Sequence, residues 1–186
     1  MRKVLLVISI LFALIGSSNA DYSNDAKVFN EGVKAYNNGN YKSAFKKWKS
    51  LIPDNSDPFS DFDFDSALGN PVIKVPGIEA RAEYEIGLLY ENGLGVLKSY
   101  TKAYEYYRWS AKWNYPQAQL AFAKLTIKII EGDLVEGITE EKRLKAYKEV
   151  AEFVSKLYEN ERATDEMRTE AEELWDKYKL YKYPFK

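Results

Sequence analysis

The sequence contains no cysteine and no histidine. Without cysteine there is no disulfide to staple the fold and no thiolate to act as nucleophile or metal ligand. Without histidine the commonest general base, the usual zinc ligand and the centre of any serine triad are missing. Paired carboxylates remain a route to hydrolysis. With 28 acidic residues some pair always lies close, so that chemistry singles out no position. Neither sign of charge dominates, with 27 basic residues against the 28 acidic ones, so general attraction to nucleic acid or to an anionic membrane is not expected. The reading is a non-enzyme with no cofactor and no metal. Charged residues at 30% and aromatics at 15% indicate a globular chain.

Long apolar runs are also scarce, and the one present is at the start. Arg2 and Lys3 precede an apolar stretch from Val4 to Ile15 that only Ser9 interrupts. Ser18-Asn19-Ala20 then puts small residues where a signal peptidase reads. This is the pattern of a secretory signal, with cleavage expected after Ala20. The run is short for a membrane span, which needs about 20 residues. With no cysteine behind it, lipid attachment at a processed terminus is excluded. The expectation is export from a bacterial cytoplasm to the periplasm or beyond, with no stable membrane insertion afterwards. The leader holds two of the 27 basic residues and no acid, so the 166 residues left carry a net charge of −3. That length suits a single domain, 21–186.

Beyond the leader, helical periodicity dominates. It predicts seven helices, at about 22–37, 40–52, 79–92, 99–113, 116–131, 139–159 and 163–179. The breaks are punctuated. Asn37-Asn38-Gly39-Asn40 and Asn92-Gly93-Leu94-Gly95 are turns, Pro116 opens the fifth helix, and Thr139 caps the sixth ahead of Glu140 and Glu141. Gly93-Leu94-Gly95 is not a phosphate loop, because no strand precedes it and no lysine follows in register.

The helices repeat. Ala82, Ile86, Gly87 and Tyr90 share a face, and Ala118, Phe122, Ala123 and Thr126 stand 36 residues later with the same spacing. Tyr36 and Gly39 match Tyr90 and Gly93, while Tyr41, Ala44 and Trp48 match Tyr100, Ala103 and Tyr107. The small residues Ala82, Gly87, Ala103 and Ala111 would let backbones approach, and large aromatics would fill the rest. The stretch from Ala80 to Ala118 resembles a Sel-like repeat, a bacterial relative of the tetratricopeptide repeat. Ala82, Ile86-Gly87, Tyr90, Gly93-x-Gly95-Val96, Ala103, Tyr106-Tyr107 and Ser110-Ala111 occupy the places of that pattern. It departs with isoleucine for leucine, Tyr106 for tryptophan and Ser110 for an alanine. Units at about 22–52 and 116–159 are weaker echoes, and 163–179 reads as a capping helix with Met167, Ala171, Leu174, Trp175 and Tyr178 in its apolar stripe.

The resemblance implies an all-α architecture, a right-handed solenoid of antiparallel helix pairs in which first helices line a concave face. Projecting those helices outward gives Lys27, Asn30 and Lys34 in the first unit, Arg81, Tyr84 and Leu88 in the second, and Gln117, Leu120 and Lys124 in the third. An apolar centre of Tyr84, Leu88 and Leu120 with basic edges is the composition of a protein-binding surface. Tyr84 and Leu88 could equally pack on a neighbouring helix.

Two segments fall outside the repeat. Residues 53–77 are a long connection carrying Asp54, Asp57, Asp61, Asp63 and Asp65 against Lys74 alone, interleaved with Phe59, Phe62 and Phe64. Asp61-x-Asp63-x-Asp65 starts like a calcium loop, but Ser66 and Val72 stand where glycine and glutamate are required. Phenylalanines pinned to the helices, with the acids in water, is the expected arrangement. Basic and aromatic residues alternate from Lys177 to Lys186, a composition compatible with nucleic-acid or membrane contact, but the tyrosines are expected to pack back on the last helix. The expected function is an exported adaptor or scaffold that binds a protein partner. Immunity against a secreted toxin is an alternative role. Action on cell-wall material, linked to cysteine-rich members of the family, is weakened by the missing cysteines.

Overall fold

The computed structural model describes residues 20–52, 77–132, 134–135 and 137–185, with side chains from Asn24 onward. The expected leader and nearly all of the acidic connection lie outside the described residues. Among the described residues there are seven α-helices and no strand. They are α1 (Ala20–Asn37), α2 (Tyr41–Lys49), α3 (Ile78–Asn92), α4 (Tyr100–Lys112), α5 (Pro116–Gly132), α6 (Glu140–Tyr158) and α7 (Asp165–Lys177), followed by a 3₁₀ turn, Leu180–Lys182. The described residues are all-α, as the periodicity predicts.

Local chemistry explains where the helices start. Side-chain oxygens of Asn40, Ser99, Thr139 and Thr164 accept from the backbone N–H of Ser43, Lys102, Lys142 and Met167, which satisfies donors that a helix start leaves open. Glu140 and Glu141 follow Thr139 in the first turn, at the positive end of α6. α2 ends at Lys49, short of the predicted 52, and α7 starts at Asp165 with Thr164 as its cap, two residues after the prediction. Gly93 ends α3 in the left-handed conformation at φ 70°.

Consecutive helices pack antiparallel. Ser110 near the end of α4 donates to the Ala80 carbonyl near the start of α3, at 2.5 Å. Trp48 near the end of α2 donates from Nε1 to the Phe29 carbonyl of α1. Phe122 of α5 meets Phe153 of α6 edge-on at 5.0 Å. Each helix packs mainly on its neighbours in sequence, while α1 also touches α3 and α5 also touches α7.

The core forms two clusters that share α3 and α4. Phe29, Ala44, Trp48, Ala82, Ile86 and Leu89 lie in the first. Ala103, Tyr107, Phe122, Leu125, Val154 and Leu157 lie in the second. The helix period decides the division, since Ala82, Ile86 and Leu89 point one way from α3 while Tyr84 and Leu88 point the other. The α3–α4 approach is close because Gly87 lies under the Tyr107 ring, where an added Cβ would stand 2.5 Å from ring carbons.

Candidate functional site

Tyr84, Leu88 and Glu91 follow at spacings of four and three on α3, which puts them on one face. The same period on α5 lines up Gln117, Leu120, Ala121, Lys124 and Lys128. These two rows, with Tyr107 from α4 and Met167 from α7, enclose an open cavity of about 270 Å³.

Its floor is aromatic and aliphatic. The Tyr84 ring lies 5.7 Å from Tyr107 and 5.5 Å from Tyr115, edge-on to the latter. Burial, and then the nearby Glu85, hold the Tyr84 hydroxyl well above the ordinary phenol range, so it stays protonated. Tyr107 donates its hydroxyl to Glu91 Oε2 at 2.8 Å. Burial first and Glu91 second push that phenol up as well. Gln117 also lines the cavity, and its Oε1 is buried without a hydrogen-bond partner. At the rim Lys124 is paired with Glu170 of α7. The Lys128 ammonium stands 5.2 Å from the Tyr100 ring centroid.

No protein-family model matches the chain, and no curated protein is significantly similar to it.

Of the nine residues projected from the sequence, Tyr84, Leu88, Gln117, Leu120 and Lys124 line this cavity. Arg81 does not. Its guanidinium sits 4.5 Å over the Phe29 ring and hydrogen-bonds Tyr115, at the junction with α1. Lys27, Asn30 and Lys34 are exposed on α1 and line no part of the cavity. Leu120 is nearly enclosed, at 8% exposure, and Tyr84 is committed to two ring contacts, so both also serve the core. Gln117 joins the lining as its helical register predicts. The sequence reading missed Glu91, Lys128 and Met167. Glu91 was within reach of the period, lying seven residues after Tyr84.

Two further carboxyls are buried on α3. Glu83 is 1% exposed, and its Oε2 has no partner. Burial, then the charge of Glu79, pushes its pKa up to about 8. Glu85 is raised to about 7 by burial, against the opposing pull of Arg81. Neither lines the cavity. Among the described residues no cluster of three or more acidic side chains is arranged to hold a metal ion. None of the described helices is long and apolar enough to cross a membrane.

Proposed function

We propose that the chain is an exported Sel-like repeat protein, and that it binds a protein partner on the face built from its first helices. In this reading the pairs α1–α2, α3–α4 and α5–α6 stack as a right-handed solenoid, with α7 closing the end. The observation that carries it is the cavity, where Tyr84, Leu88, Leu120 and Lys124 converge from two different helices. Five of the nine residues chosen only for facing away from the repeat core thus share one concavity. Its volume suits one large side chain of a partner, and apolar anchors ringed by polar groups are what binding hot spots use. The α1–α3 contact supports neighbouring first helices, and the α5–α7 contact supports α7 as the closing helix. The leader pattern at 1–20 supports export.

The test is capture of the tagged protein from periplasm and medium, beside a Leu88→Ala/Lys124→Ala variant. Leu88 and Lys124 are preferred over Tyr84, whose removal would also open the aromatic cluster. The expected outcome is one stoichiometric protein that the variant loses while its melting temperature stays within a few degrees of the parent's. A partner retained by the variant refutes the site. Intact-mass measurement of the exported form checks processing, with Asp21 expected as the first residue.

A further inference from the structure

The cavity between α3 and α5 also selects the chemistry of what enters it. Tyr84, Leu88 and Glu91 of α3 and Met167 of α7 line it and are partly exposed, while Tyr107 and Leu125 beneath them are closed off. The partly exposed groups are therefore the ones that an incoming side chain can touch.

The charge at these walls is negative. Glu91 Oε2 accepts from the Tyr107 hydroxyl at 2.8 Å, and its other oxygen has no donor among the described residues. Burial, and then Glu85, Tyr115 and Glu91, raise the Tyr84 phenol. Burial, and then Glu91, raise that of Tyr107. Both hydroxyls therefore stay neutral, and the ions that act on them are carboxylates. The Tyr84 hydroxyl has no hydrogen-bond partner among the described residues. The lysines of the rim are engaged elsewhere. Lys124 is matched by Glu170 of α7, and Lys128 lies over the Tyr100 ring at 5.2 Å.

The walls thus offer an anionic carboxylate, a hydroxyl lone pair, an aromatic ring and aliphatic surface. A guanidinium on its stem uses all four, being cationic, planar, rich in N–H donors and without an acceptor. An ammonium is compact and strongly hydrated, so it gains less from the ring. An indole brings one donor and no charge, and a carboxylate would face Glu91 with the same sign. Resting on the reading of this cavity as the partner site, we infer that the anchor it receives is an arginine side chain of the partner protein. The stem packs on Leu88 and Met167, the guanidinium donates to Glu91, and the Tyr84 oxygen accepts a further N–H. Arginine is also among the residues that most often dominate binding hot spots.

The test titrates single amino acids, acetylated and amidated at their ends, into isotope-labelled protein and follows amide NMR shifts. The arginine compound is expected to give saturable shifts centred on α3, α5 and α7, with a dissociation constant of about 1 mM, as fits a lone side chain. The lysine, tryptophan and glutamate compounds are expected to bind about tenfold more weakly or worse. Glu91→Gln keeps an acceptor for Tyr107, and it should weaken the arginine compound about tenfold while leaving the tryptophan compound unchanged. Unchanged arginine binding in Glu91→Gln overturns the inference. Tighter binding of tryptophan or glutamate at the same amides overturns it too, and leaves the cavity a binding site with a different anchor. Shifts from none of the compounds at these amides would remove the cavity itself as the partner site, and the arginine with it.

Discussion

Gly39 and Gly95 have nearly the same backbone conformation, at φ 75° and 70°, in different surroundings. An added Cβ at Gly39 would meet nothing within 4 Å, while at Gly95 it would stand 2.7 Å from the Tyr41 and Lys42 backbone of α2. Gly39→Ala is therefore expected to cost only the left-handed penalty, about 1 kcal/mol. Gly95→Ala should cost about 3 kcal/mol, because the α2–α3 junction must open as well. Urea unfolding of both variants measures the difference, and equal losses would show that the approach of α2 is not tight. Glu83 gives a prediction of another kind. Its carboxyl has a folded pKa of about 8, raised first by burial and then by Glu79, against 4.5 ordinarily. The folded state thus holds a proton that the unfolded state releases. The resulting stability is fully present below pH 4.5 and is lost as pH rises through 8. Glu85 adds a smaller loss ending near pH 7. Glu83→Gln is expected to flatten the decline between pH 5 and 8 and to be more stable than the parent at pH 8 by on the order of 2 kcal/mol. Parallel stability-versus-pH curves would show that Glu83 does not carry this proton.

At the scale of elements, the boundaries were legible where a side chain acts within four residues of itself. Thr139, Pro116 and the Asn92–Gly95 turn mark helix ends by local chemistry, and the structure has helix ends at each. What ties one corner to another was not legible, because its partners are remote in sequence. Asn160, just beyond α6, sends its amide to the Asn114 carbonyl and Oδ1 at 3.2 and 3.1 Å, and to Gln119 Oε1 at 3.3 Å. Gln119 in turn donates to Asn114 Oδ1 at 2.9 Å, and Asn114 sits in the left-handed region at φ 61°. This buried network pins the α4–α5 corner to the α6–α7 corner, and no periodicity announces it. Asn160→Ala should cost about 2 kcal/mol, leaving acceptors without donors. Asn160→Asp should cost more at pH 7, since a carboxylate would face three oxygens, and it should recover as pH falls and the acid protonates. Denaturant midpoints of the two variants at pH 7 and pH 4 check the order, and an aspartate variant as stable as the alanine one would mean that water enters the corner.

For the whole molecule, helix period told which residues leave the repeat core but not which neighbour they then meet. Tyr84, Leu88, Leu120 and Lys124 reach one cavity because α3 and α5, each packed on α4, turn these faces to it. Lys27, Lys34 and Arg81 fall outside it because α1 meets α3 one turn earlier, where Arg81 turns to Phe29 and Tyr115. The same neighbour-to-neighbour contact pattern governs how damage spreads. Leu180 is fully buried although it lies six residues from the end of the chain, and it belongs to the cluster formed with α5, α6 and α7. Truncating it to alanine should cost about 3 kcal/mol and free the terminal turn from α6. The first cluster, around Trp48 and Ile86, shares only α3 and α4 with that region. In a stack coupled only between neighbours, opening one end lowers protection there before it lowers it at the other. Hydrogen exchange of Leu180→Ala is therefore expected to show faster exchange in α6 and α7, with α1 and α2 near the parent rates. A uniform rise across all seven helices would mean that the two clusters unfold as one unit, and that the shared α3–α4 pair transmits the loss in full.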